Sequence, residues 1–195
     1  MTTSPTNEIA SDVVAFWVGA GPQKWYVQDD AFDQEIRDQF GQVWRAAQDG
    51  HLPDWASDAD GALALVILLD QFPRNMFRND PRAFATDDKA LVVTGDCLAH
   101  GWDREVAEPE RQFIYMPLMH SENMDHQDRC VELMKARMSE GNNELHARAH
   151  REIIARFGRF PFRNAALSRE TTAEEQDFLD NGGYRAIVRE LSGEA

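Results

Sequence analysis

Apolar residues recur at intervals of three and four along almost the whole chain, and no six-residue stretch combines period-two alternation with enrichment in β-branched residues. Side chains three or four apart share a helix face, whereas strand faces repeat every second residue, so the pattern admits helices and leaves no room for a sheet. Ile9, Val13, Phe16 and Trp17 begin the series, and Phe32, Ile36, Phe40, Val43, Trp44 and Ala47 continue it. Gly50 and Gly101 stand where helices should stop, since glycine takes the left-handed conformation that closes them. Ser57-Asp58-Ala59-Asp60 places acceptors and acids at the positive end of a third helix. The run Ala62 to Leu69 makes that helix apolar all round, which predicts a central, buried position. Its end is predicted at Phe72, because Pro73 disfavours the α conformation before it. Thr86 or Asp87 should cap the next helix, Pro117 should kink a later one, and Thr172 with Glu175 reads as a capping box. The expectation is an all-α chain of eight or nine helices, with a tail at residues 1–7 and one domain over residues 8–192.

A 195-residue chain is long enough to build a core without disulfides or metal. Its net charge of −14 repels phosphate backbones and argues against nucleic acid as a partner. The longest apolar run falls well short of the ~20 residues a membrane span needs. The first residues carry neither a basic start nor an apolar stretch, so no signal peptide is expected. Two cysteines, Cys97 and Cys130, suit a reducing cytoplasm. The charge is unevenly spread. Residues 29–60 hold nine acids against Arg37 and Arg45, a net of −7, while residues 148–169 hold six arginines against Glu152, a net of +5. The basic island is either braced by ion pairs against the acidic half or forms a local anion site. Arginine outnumbers lysine 17 to 3, which suits bidentate carboxylate or phosphate recognition.

Three segments depart from generic helix. Leu69-Asp70-Gln71-Phe72-Pro73-Arg74-Asn75 sets strong hydrogen-bonding groups at the end of the most apolar helix. Arg111 to Glu122 would place Arg111, Tyr115, Leu118 and Glu122 on one face if the helix runs through Pro117. Phe157-Gly158-Arg159-Phe160-Pro161-Phe162-Arg163-Asn164 alternates rings with guanidinium groups, a pattern that can stack cations on aromatics or present donors to an anion. Each has a structural alternative: Asp70 and Arg74 pair with neighbours, His120 is a satisfied core residue, and Ser121 and Glu122 cap the following helix.

Other chemistries find less support. His146 and His150 lie one turn apart on a stripe with Ile153 and Phe157, and His120 and Glu122 could add ligands. The residues between the two histidines are Ala, Arg and Ala, and Arg148 opposes a cation, so no metal or other cofactor is expected. Ser121 lacks a strand–turn–helix elbow, Cys97 lacks an activating base, and no phosphate-binding glycine loop occurs.

The LDQFPRN segment at 69–75, the R-x-F-x-Y-x-P-L-x-H-S-E pattern at 111–122 and the FGRFP-x-RN segment at 157–164 resemble the bacterial "domain of unknown function 924" family over about residues 10–180. Two positions depart from the family pattern: Phe162 stands where histidine is expected, and Ser168 where glycine is expected. The resemblance implies a tetratricopeptide-like superhelix of stacked helix pairs and no assigned activity. The residues themselves point to binding of a small anion or a peptide carboxylate, with Arg74, Arg111, Arg159 and Arg163 on the anion. Tyr115 and His120 would add hydrogen bonds, and Asp70 and Glu122 would orient the arginines. Two rivals stand beside this reading: a hydrolase or transferase with His120 and Glu122 as its acid–base pair, and a structural or interaction module whose motifs lock helices together.

Overall fold

The computed structural model describes residues 5–51, 53–139 and 141–193. Among them there is no strand, and nine helices have eight residues or more. Of the tail expected at residues 1–7, residues 1–4 lie outside the described residues. From Pro5 onward the chain is helical, since proline lacks only an N–H that the first turn leaves unused. Where one domain is expected, contacts gather into two compact units: Met1–Arg78 with Arg82–Pro117, and Asn79–Pro81 with Leu118–Ala195.

The first unit holds α1 (Pro5–Ala20), α2 (Asp30–Gln48), α3 (Ala59–Val66), α4 (Asp87–His100) and the start of α5 (Arg111–His120). The regular apolar spacing of α1 and α2 becomes one aromatic core. Trp17 lies within 5.7–6.4 Å, ring to ring, of Trp25, Phe32, Phe72 and Phe113. Asp29 and Asp58 cap α2 and α3 by accepting from backbone N–H groups. The run Ala62 to Leu69 is buried throughout. Gly61 is required by close approach: a β-carbon there would sit 1.6 Å from the Trp55 carbonyl oxygen.

The third helix does not end at Phe72. It passes through a π-helical turn, Ile67–Gln71, into a last α turn, Phe72–Met76. The Phe72 N–H reaches back five residues to Ile67. A proline inside a helix strips a donor from the carbonyl four residues before it, here Leu69. The Thr86 hydroxyl donates to that carbonyl at 2.5 Å, and Arg74 donates to the next, Asp70, at 2.6 Å. This occupation explains why Thr86, at the N-cap position of α4, makes no side-chain cap there. Two turns further along α4, Thr94 donates to the Ile114 carbonyl at 3.0 Å, in the turn that Pro117 opens. The N-cap residue of α4 thus compensates Pro73, while Thr94 ties the same helix to the carbonyl next to Phe113, the one Pro117 deprives of a donor.

The second unit holds the end of α5, then α6 (Met124–Arg137), α7 (Asn143–Phe157), α8 (Ala173–Asp180) and α9 (Gly183–Ser192). Its core joins Ala149, Ile153, Ile154, Phe160 and Ile187. The Thr172–Glu175 capping box is formed in both directions. Gln127 closes α5 from outside, its amide donating to the carbonyls of Met119 and Ser121 at 2.7 and 2.6 Å.

Candidate functional site

In the first unit the π turn sinks the Asp70 carboxylate completely. Arg74 pairs with it at 3.2 Å and grips Asp87 with two parallel bonds of 2.9 and 3.0 Å. The Gln71 amide donates to Asp70 at 2.5 Å. Asn75 donates to the buried Asp33 at 2.8 Å, and Arg78 closes on the same carboxylate. Burial opposes the charge on Arg74, but Asp70 and Asp87 together raise its pKa above the ordinary value. Arg111 donates to the Val106 carbonyl at 2.9 Å and meets Glu108 at 3.4 Å. Tyr115 is wholly buried, its hydroxyl 2.7 Å from a carboxylate oxygen of Asp103. The polar face expected along α5 is therefore inward-facing at Tyr115.

The second unit carries His120, Glu122, Arg159 and Arg163. Glu122 takes both nitrogens of the Arg169 fork, at 2.7 and 3.0 Å, and the Phe160 N–H at 2.8 Å. Burial alone would raise Glu122, but those bonds and the charges of Arg169 and Arg163 hold it below the usual carboxylate range. Both oxygens are engaged, a poor arrangement for a group meant to shuttle a proton. Arg159 grips Glu175 bidentately at 2.6 and 2.8 Å. Asn164 bridges the two pairs, accepting from Arg169 at 3.0 Å and donating to Glu175 at 3.2 Å. The result is a ladder running Glu122, Arg169, Asn164, Glu175, Arg159. The Arg159 bond, backbone donation from Thr172 and the Arg159 charge bring Glu175 down to about 2 against the burial that opposes them. The basic island is thus braced, and by acids of its own unit: Arg151 meets Asp128 and Arg156 meets Glu152 as well.

Beside this ladder lies a second group. His150 stands 6.1 Å from His120, 5.6 Å from Phe160 and 4.9 Å from Tyr184, ring to ring. The Tyr184 hydroxyl is 2.6 Å from Nδ1 of His146. The Arg163 guanidinium lies 4.5 Å over the Phe160 ring. His120, His146, His150 and Tyr184 are half-buried, and Arg163 is buried. Nδ1 of His150 lies 2.8 Å from the His146 carbonyl. A carbonyl only accepts, so Nδ1 carries the proton and Nε2 is the lone-pair nitrogen of the neutral ring. Burial, then the charges of His120, Arg163 and His146, bring His150 down to about 3. Burial also lowers His146.

Of the expected site residues, the second unit therefore brings His120 and Arg163 to one cluster, while Glu122 and Arg159 belong to the ladder. His146 and His150 join as members of the stripe seen in sequence. Tyr184 carries no signal of its own, since its role arises from the docking of α9 on α7. Among the described residues, no group of three or more His, Cys, Asp or Glu side chains is placed to hold a metal ion. Burial pushes both cysteine thiols up to about 12, with Asp103 and Glu105 adding at Cys97, so neither is a nucleophile at neutral pH. No described helix is long and apolar enough to cross a membrane.

A family model described as bacterial protein of unknown function (DUF924) matches residues 13–183. A solved structure of a protein of unknown function from Agrobacterium tumefaciens superposes with a TM-score of 0.87 at 42% identity, covering 91% of this chain and 99% of that one. Among curated proteins none matches.

Proposed function

Taking as premise that the chain belongs to the DUF924 family, we propose that it binds a small anion, a carboxylate or a phosphate, in its second unit. The observation that carries this reading is the gathering of His120, His146, His150, Tyr184 and Arg163, in which the charges acting on His150 are all positive. The Arg163 guanidinium, beside half-buried imidazoles, would attract an anion because low local dielectric weakens screening. The protein's acidic exterior discourages nucleic acid from the same place. In this reading Arg163 and His120 hold the ligand, and Asp70, Arg74, Arg111, Tyr115, Glu122 and Arg159 brace the helices that carry the motifs. A free peptide C-terminus is the macromolecular form of the same carboxylate chemistry. The packing of α6 against α7 supports the stacked-pair architecture that the resemblance implies, and the reducing cytoplasm remains the expected compartment.

The experiment is thermal unfolding in chloride against phosphate and citrate at matched ionic strength. An anion bound only by the folded state adds ~2.7 kcal/mol at a hundredfold excess over Kd, and each kcal/mol moves Tm by about 2–4 °C for this chain length. Arg163→Gln should abolish the anion-specific rise. Arg159→Gln should lower Tm equally in every salt and leave that rise intact. A wild-type response identical in all salts would leave the motifs as helix locks, the reading that the saturated pairs of Arg74 and Arg159 favour.

A further inference from the structure

We propose that the first unit carries a ligand site of its own, a surface cleft that takes a small monocarboxylate with an apolar body of about six carbons. It is independent of the anion site proposed for the second unit. The cleft has a volume of about 240 Å³ and opens to solvent. Its buried floor is Leu65, in the last turn of α3, and Leu69, in the π turn that follows. Isolated π turns inside α-helices are frequent at functional sites. Ala47, near the end of α2, and Val93 of α4 are buried beside the leucines. Val92 lines the same cleft and is 64% exposed. A single exposed valine is ordinary, but this one continues an apolar surface with Val93, Leu65 and Leu69. An apolar patch with a polar rim is a mark of a ligand groove.

Size and charge together name the ligand. An enclosed apolar cavity of about 150 Å³ holds benzene, so this cleft has room for a ring or a six-carbon chain. Among its described lining residues the one charged side chain is Lys89, which is exposed. Lys89, Val92 and Val93 share a face of α4, at spacings of three and four. The stem of such a lysine covers apolar surface while its ammonium stays in water. No hydrogen bond or ion pair ties that ammonium to a described residue, whereas Arg74, Arg159 and Arg169 each grip a carboxylate. Nor does Lys89 serve its helix, for it stands third in α4, where a cation opposes the macrodipole. Asp87, at the head of the same helix, is taken by Arg74. A carboxylate gives Lys89 a partner while the apolar body behind it covers Val92 and the two leucines. Phosphate has the charge without the body, and an alcohol has the body without the charge.

The test titrates the full chain, with isotope-labelled methyl groups, with acetate, butyrate, hexanoate and hexanol at constant ionic strength, following the methyl resonances by NMR. Hexanoate should shift those of Leu65, Leu69, Val92 and Val93. Kd should fall from acetate through butyrate to hexanoate by about two- to fourfold for each methylene, the upper figure being full burial. Hexanol should bind about two- to fivefold more weakly than hexanoate, the scale of an exposed ion pair. Lys89→Gln should bring hexanoate to the level of hexanol, and Val92→Gln should weaken both ligands. Both positions are exposed, so the variants keep the fold. Arg163→Gln, in the second unit, should change neither Kd. Equal binding of hexanoate and hexanol by the wild type overturns the carboxylate site. Absence of shifts at the four cleft residues also overturns it. So do hexanoate shifts confined to the second unit and lost in Arg163→Gln, a result that would at the same time support the anion site there.

Discussion

Arginines beside prolines occur in both units, yet their surroundings differ. In the first, Arg74 lies between two carboxylates, and the Asp33 carboxylate lies between Asn75 and Arg78. In the second, Arg159 and Arg169 are matched in the same way, but a few residues away the charges acting on His150 are all positive. Desolvating a charge is costly, so a fold tolerates it where an opposite charge is built in or where one arrives from outside. A matched arginine is a strut. In the proposed reading, the cluster around His150 is where a ligand anion would add the opposite charge.

The largest effect expected from breaking this contrast is at Arg74. Arg74→Ala removes the cation paired with the wholly buried Asp70 carboxylate and should cost about 3–5 kcal/mol, a Tm loss of roughly 6–20 °C. Urea unfolding measures it; a loss under about 1 kcal/mol would show that the lock contributes little.

Acid should act next, and mainly through the second unit. The folded state holds His150 at about 3 against an ordinary 6.5, so the unfolded chain binds the extra proton first. Stability from this group is intact above pH 6.5 and declines as pH falls from there toward about 3, by at most about 1.4 kcal/mol per pH unit. Glu175, held near 2 against 4.5, adds a further decline between those values. Unfolding free energies measured across pH should show the upper part of the slope vanish in His150→Gln. A flat profile between about pH 7 and pH 5 in the wild type would contradict it.

Removing the hydroxyl that serves Pro73 sharpens the account of the first unit. Thr86→Val leaves the Leu69 carbonyl buried without that donor, and should cost about 1–3 kcal/mol in chemical unfolding. A neutral result would refute compensation of Pro73 by Thr86, and Thr94→Val measures the separate bond to Ile114 in the same way.

Ser168 sits at φ 53°, in the left-handed region that costs a side chain about 1–2 kcal/mol. Ser168→Gly should raise stability by about 1 kcal/mol or less after the entropy that glycine adds to the unfolded chain, read as a small rise in Tm. The smallest effect belongs to Arg156→Ala, which breaks an exposed pair with Glu152 and should cost under about 0.5 kcal/mol. A larger loss there would mean that the surface of the second unit is as tightly coupled as its ladder.

The sequence by itself determined the helices, because apolar period, caps and terminal glycines are local properties of the chain. It also marked the polar segments worth attention, while the glycine expected at 168 came from the family resemblance and is explained by the backbone there. It misjudged Pro73, since whether a proline ends a helix depends on donors elsewhere: Thr86, remote in sequence, supplies what the ring removes. The same limit applies to charge. Nothing local says that Arg74 meets Asp87, that Glu122 meets Arg169 across 47 positions, or that Tyr184 reaches His146. A charged side chain braces the fold or awaits a ligand according to which partner the packed helices bring within about 3 Å, and that choice exists only in three dimensions.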